Sequence, residues 1–133
     1  RRPPRSTQSR SSAASDVYKR QALRESEEEI GLQSEHAEIL GFIDPQISLG
    51  SGFIVTPLVA RIDPSFTPKI NTYEVEELFK VPLEFFLDQD NLSHEYRVFD
   101  GNKWSVYSYK YEEHYIWGLT AQIIRKFCKN LMQ

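Results

Sequence analysis

The stretch "ALRESEEEIGL", residues 22–32, constrains this chain more than any other. It contains no β-branched run and no breaker until Gly31, so it reads as helix from Ala22 with a glycine cap. At about 100° per residue, Glu25, Glu28 and Glu29 fall within one arc as i, i+3 and i+4 neighbours. Leu23, Ser26 and Ile30 face roughly the other way, towards a core. Like charges at such spacings repel by a few tenths of a kcal/mol per pair. A helix built for solubility alone would interleave lysines, and none follows Arg24. Carboxylates grouped in this way suit a hard divalent cation; a solvated acidic face is the plainer reading of the spacing.

Charge divides the chain. Residues 1–21 hold six basic side chains against Asp16, a net of +5, and the remainder holds ten against eighteen, a net of −8. The contrast implies a boundary near residue 21. "RRPPRSTQSRSSAAS" lacks large apolar residues and cannot offset the entropy of ordering itself, so residues 1–21 are expected to be a disordered or artefactual segment. The acidic remainder argues against nucleic-acid binding through a basic face. No apolar run is long enough to span a bilayer. A lone cysteine, Cys128, excludes an internal disulfide and fits a reducing, cytoplasmic setting.

Downstream, "AEILGFID" reads as a strand ended by Asp44-Pro45 and "ISLGSG" as a loop. "FIVTPLVARI" reads as a β-branched strand with an edge or bulge at Pro57. "DPSFTPKINTY" is a Pro-punctuated loop. "LFKVPL" is strand-like, followed by a short helix through Phe85–Leu87. "EYRVFDGNKWSVYSYKYE" alternates about "DGN", a hairpin signal. Ile116, Leu119, Ile123, Phe127 and Leu131 recur at helical spacing. The predicted class is α+β, an α/β/α layered domain.

The string Arg24–Leu32 resembles the second half of the Nudix box: Arg-Glu, apolar, any residue, Glu-Glu, any residue, Gly, apolar. Ser26 departs at the apolar position. "GFIDP", "SGFIVTPLV", "EVEELFKVPLEFFLD" and "YIWGLTAQII" resemble the coenzyme A pyrophosphatase branch of that family, extending the likeness over most of residues 22–133. The resemblance implies a Nudix-type sandwich with a mixed sheet, missing its N-terminal elements. Its first box Glu would fall at Asp16 and its leading Gly at Arg10, a departure. "SSAASDVYKRQ" resembles translated read-end or adapter sequence, so the native chain is expected to begin near Gln21 or Ala22.

The likeness implies Mg²⁺ or Mn²⁺ as cofactor, with Glu25, Glu28 and Glu29 as metal ligands. Glu25 would be either ligand or base, and Arg24 would orient a box carboxylate. The implied partner is a small-molecule nucleoside diphosphate, coenzyme A or an acyl derivative, cleaved to 4′-phosphopantetheine and 3′,5′-ADP. ADP-ribose or a dinucleotide is the alternative substrate, and a non-catalytic binding module or inert fragment the alternative role. A homodimer is left open. Glu74, Glu76 and Glu77 are candidates for a further carboxylate. His36, His94 and His114 lack metal-ligand spacing. Cys128 lacks a pairing motif, and Trp104 and Trp117 read as packing residues.

Overall fold

No glycine or proline interrupts the sequence between Arg5 and Ile30, and one helix, α1 (Arg5–Ile30), occupies that whole span. The computed structural model describes residues 5–48 and 51–133, with side chains from Ala13 in α1 onward. The helix starts well before Ala22, where the apolar pattern begins, and runs through the expected boundary at residue 21 unbroken. Absence of a breaker, not burial, accounts for the extension: Val17 and Tyr18 are each about half exposed. Residues 1–4 and the Arg10 side chain, part of the expected foreign segment, lie outside the described residues.

The chain forms two compact units. One combines the chain up to Gly41 with Leu58–Leu78. Here α1 is followed by a short 3-10 turn, Ser34–His36, and by strand β1 (Ala37–Phe42). β1 pairs with β4 (Leu58–Ile62), and the Asp63 N–H donates to the His36 carbonyl at 2.8 Å beside this pair. Leu32, just beyond the Gly31 cap of α1, is the buried apolar residue among the described residues of this unit.

The other unit combines Phe42–Pro57 with Phe79–Gln133. Its first part is a small antiparallel pair, β2 (Gln46–Ile47) with β3 (Ile54–Val55). The expected single strand "FIVTPLVARI" is thus two strands, interrupted at Pro57, which has no N–H to give a ladder. The Pro57 carbonyl instead accepts from Ile43 N–H at 2.9 Å. "LFKVPL" is not a strand; its proline leads into α2 (Leu83–Leu87).

Three strands follow, β5 (Leu92–Phe99), β6 (Asn102–Tyr111) and β7 (His114–Trp117), in antiparallel order. Phe99 pairs with Asn102, so the predicted "DGN" hairpin closes on Asp100 and Gly101. Both have positive φ, 54° and 78°, the requirement of a type I′ turn. A second two-residue turn, Glu112-Glu113, joins β6 to β7, with Glu112 at φ 54°. This turn shows no glycine in the sequence, which is why Ile116 was counted in the helical stripe. Ile116 is a buried strand residue, and the helix, α3 (Gly118–Leu131), begins two residues later.

Tyr109, Ile116 and Ala121 form the core of this unit, with Val81, Phe85, Phe86, Leu92, Tyr107 and Ile124 packed against them. The buried positions of α3 are Ala121 and Cys128, whereas Leu131 is half exposed. The predicted stripe was therefore rotated: small side chains let the helix approach Tyr109 closely, so the contact face carries the less hydrophobic residues. Phe86 and Phe85 meet Tyr109 and Tyr111 edge-on, each at 4.9 Å between ring centres.

The described elements make an α+β arrangement. In place of the expected mixed sheet they form separate sheets of two, two and three strands. No described helix is long and apolar enough to cross a membrane. Gly101 lies at a φ that costs an L-residue about 1 kcal/mol or more. Gly101→Ala should lower unfolding free energy by about that amount, read as a reduced denaturant midpoint with unchanged slope; an unchanged midpoint would contradict the turn assignment.

Candidate active site

The acidic box occupies the last two turns of α1. Its local geometry follows the sequence: Leu23, Ser26 and Ile30 are partly buried, while Arg24, Glu25, Glu27, Glu28 and Glu29 are exposed. Glu25, Glu28 and Glu29 thus share an outward face. Gly31 ends the helix at φ 74°, its N–H donating to the Glu27 carbonyl at 2.9 Å, as an αL cap requires. A Cβ at Gly31 would also lie 3.4 Å from the Cβ of Lys69.

That proximity reveals residues the sequence reading missed. The last carbonyls of a helix have no partner inside it. Here the Lys69 N–H donates to the Ile30 carbonyl and the Asn71 N–H to the Glu29 carbonyl, both at 2.9 Å. Asn71 also accepts: its side-chain oxygen takes the Tyr73 N–H at 3.1 Å, and its carbonyl takes those of Glu74 and Val75. The loop bearing Glu74, Glu76 and Glu77 is therefore tied to the end of the box helix. The Asn71-Thr72-Tyr73 run, an Asx-turn sequence, was the available signal.

The electrostatics of the helix end are unfavourable by construction. Glu27, Glu28 and Glu29 occupy the last turn, which has no basic residue, although the macrodipole favours cations there by about 0.3–1 kcal/mol each. Among the described residues none of the box glutamates forms an ion pair. The expected hydrogen bond from Arg24 to a box carboxylate is likewise absent among them. Arg24 instead borders a shallow hollow with Val17, Gln21, Leu23, Glu27 and Ser34.

The donor set fits a hard divalent cation in kind, being carboxylate oxygen throughout. As placed, no three His, Cys, Asp or Glu side chains converge on a metal position among the described residues. The helix therefore presents exposed carboxylates that do not converge on one point. The other candidates have structural surroundings. His36 lies 5.6 Å from the Phe66 ring, and its Nδ1 is buried without a hydrogen-bond partner. His94 lies between Tyr96 and Tyr107, 4.7 Å from each. His114 stacks on Phe79 at 3.7 Å. The Ser65 N–H and hydroxyl hold Asp63 below the usual carboxylate range, with His36 adding a smaller pull. Burial pushes the Cys128 thiol up, which disfavours a nucleophilic role. Trp104 donates from Nε1 to the Phe99 carbonyl, whereas Trp117 is 64% exposed and not the core residue expected.

Comparison with known proteins supports placing the chain among the Nudix hydrolases. It is 37% identical over 114 residues to the protein named "Uncharacterized Nudix hydrolase NudL" of Photorhabdus laumondii subsp. laumondii, covering 83% of this chain and 58% of that protein. Proteins of the same name from Salmonella paratyphi B and Salmonella newport are 36% identical over 106 residues, covering 79% of this chain and 54% of theirs. The chain thus spans little more than half the length of these curated relatives. No family model matches it.

The clustering of acids at the wrong helix end generates a stability prediction. In the presence of a chelator at low salt, Glu29→Gln should raise unfolding free energy by a few tenths of a kcal/mol, relieving repulsion from Glu25 and the dipole. The gain should shrink at high salt. A loss of stability in thermal melts would show that Glu29 has a compensating partner.

Proposed function

We propose that this chain carries the catalytic helix of a Nudix pyrophosphohydrolase that cleaves coenzyme A or an acyl derivative to 4′-phosphopantetheine and 3′,5′-ADP. The observation carrying the proposal is the outward face of Glu25, Glu28 and Glu29 on a helix ended by Gly31. Homology to proteins named Nudix hydrolase supports the reaction class. The coenzyme A reading rests on the four downstream stretches alone. The family's layered sandwich for the whole domain belongs to the same proposal.

In this reading Glu25, Glu28 and Glu29 would hold Mg²⁺ or Mn²⁺, which would neutralise charge on the diphosphate oxygens. A box carboxylate, Glu25 in the first instance, accepts a proton from the attacking water. Water adds to one phosphorus, the bridging P–O bond breaks, and the two products each leave as a phosphate monoester. Arg24 would orient a box carboxylate. The exposed Glu74, Glu76 and Glu77, on the loop tied to Glu29 through Asn71, are candidates for a further carboxylate. Glu25, Glu28 and Glu29 would hold the cation, although the described side chains do not converge on a metal position by themselves.

The test is hydrolysis of coenzyme A by the purified protein with Mg²⁺, following release of 3′,5′-ADP by chromatography. Turnover should fall by about 10²-fold or more in Glu25→Gln, as expected for loss of a general base or metal ligand, with the helix content unchanged. Inactivity on coenzyme A together with hydrolysis of ADP-ribose would replace the substrate assignment. No hydrolysis of either, or turnover indifferent to Glu25, would favour a binding module.

A further inference from the structure

The underside of α3 contains a second concentration of unused polar groups. Phe86, Gln89, Leu92, Tyr109, Arg125, Cys128, Lys129 and Met132 enclose a hollow of about 200 Å³. Its apolar wall is Phe86, Leu92 and Met132; no lining residue is acidic, although the whole chain carries a net charge of −3.

Tyr109 makes this hollow unusual. The residue is 1% exposed and its ring is fixed edge-on to Phe86. Tyr109 lines the hollow, and its phenol lies within electrostatic reach of the Cys128 thiol and the Arg125 guanidinium. Among the described residues its hydroxyl has no hydrogen-bond partner, yet it is not fully enclosed, since the enclosed side-chain atom left unpartnered among them is His36 Nδ1. Arg125 is similarly placed without a carboxylate among them. Its guanidinium lies over the Tyr107 ring, 4.4 Å from the centre, a contact that orients the fork without consuming its donors. Lys129 lies one helical turn further on and adds a second positive charge.

We propose that this hollow binds a phosphate-sized oxyanion, either inorganic phosphate or the phosphate of a small monoester, with Arg125, Lys129 and the Tyr109 hydroxyl as donors. The charge pattern selects an anion, since every polar side chain on the wall can donate and two are cationic. The size selects a small one, for drug-sized ligands take about 300–1,000 Å³. None of these residues belongs to the Arg24–Leu32 stretch, so the site stands independently of the proposed hydrolysis.

Calorimetric titration with inorganic phosphate tests it, in chelator and with ionic strength held constant by chloride. One saturable site is expected. Arg125→Gln should weaken binding about tenfold or more, the scale of a lost charge-assisted bond. Tyr109→Phe, which keeps the ring on Phe86, should weaken it several-fold, and Lys129→Gln, on the exposed rim, less. If Arg125→Gln does not fold by circular dichroism, the Tyr109 and Lys129 variants decide. Glycerol phosphate run in parallel separates the sources: tighter binding assigns the site to a monoester, weaker binding to free phosphate. No saturable binding in the low millimolar range, or binding indifferent to Tyr109→Phe and to the cation variants, overturns the proposal.

Discussion

The capture of the α1 carboxyl end by the loop at Lys69 and Asn71 is the interaction on which the first unit depends. A helix ending in three glutamates is electrostatically unfavourable by itself. Two backbone N–H groups take up its final carbonyls, and Gly31 supplies the left-handed turn and the clearance that let the loop approach. The same bonds bring the acidic 74–77 segment to the box. Local stability has been set against a concentration of carboxylates, a conflict of the kind found at functional sites.

The second unit answers to a different constraint. Tyr109 is its most deeply buried large side chain, and the phenylalanines of α2 and the small residues of α3 are arranged around that ring. Its position has a chemical consequence. A phenol this deep resists ionisation, and burial, helped by the neighbouring Cys128 and opposed by Arg125, pushes it up to about 12. It therefore remains a donor throughout the physiological range, the property an anion site requires.

Local signals were legible where one residue type decides the backbone. Asp100-Gly101 closed a hairpin and Gly31 ended a helix, because each acts through its own φ; Pro57 was read as an edge or bulge within one strand, whereas its missing N–H divides two. The outward face of Glu25, Glu28 and Glu29 followed from helical periodicity. What was not legible depended on partners distant in sequence. Nothing in residues 22–32 announces the Lys69 and Asn71 bonds. The Glu112-Glu113 turn uses a residue that rarely takes positive φ, so Ile116 joined the wrong element. The face of α3 was misread because close approach to Tyr109 selects Ala121 and Cys128 over larger apolar residues. Whether the carboxylates close around a cation was beyond the sequence altogether, since that depends on side-chain positions from two segments.

The central claim is that the carboxylate face of α1 is the cation site. Titration with Mn²⁺, followed by paramagnetic broadening of assigned amide resonances, tests it directly. Broadening should centre on Glu25–Glu29, extend to Asn71–Glu74, and disappear in a Glu25→Gln, Glu29→Gln double variant. Broadening centred elsewhere, or spread evenly over the acidic surface and unchanged in that variant, would contradict the claim.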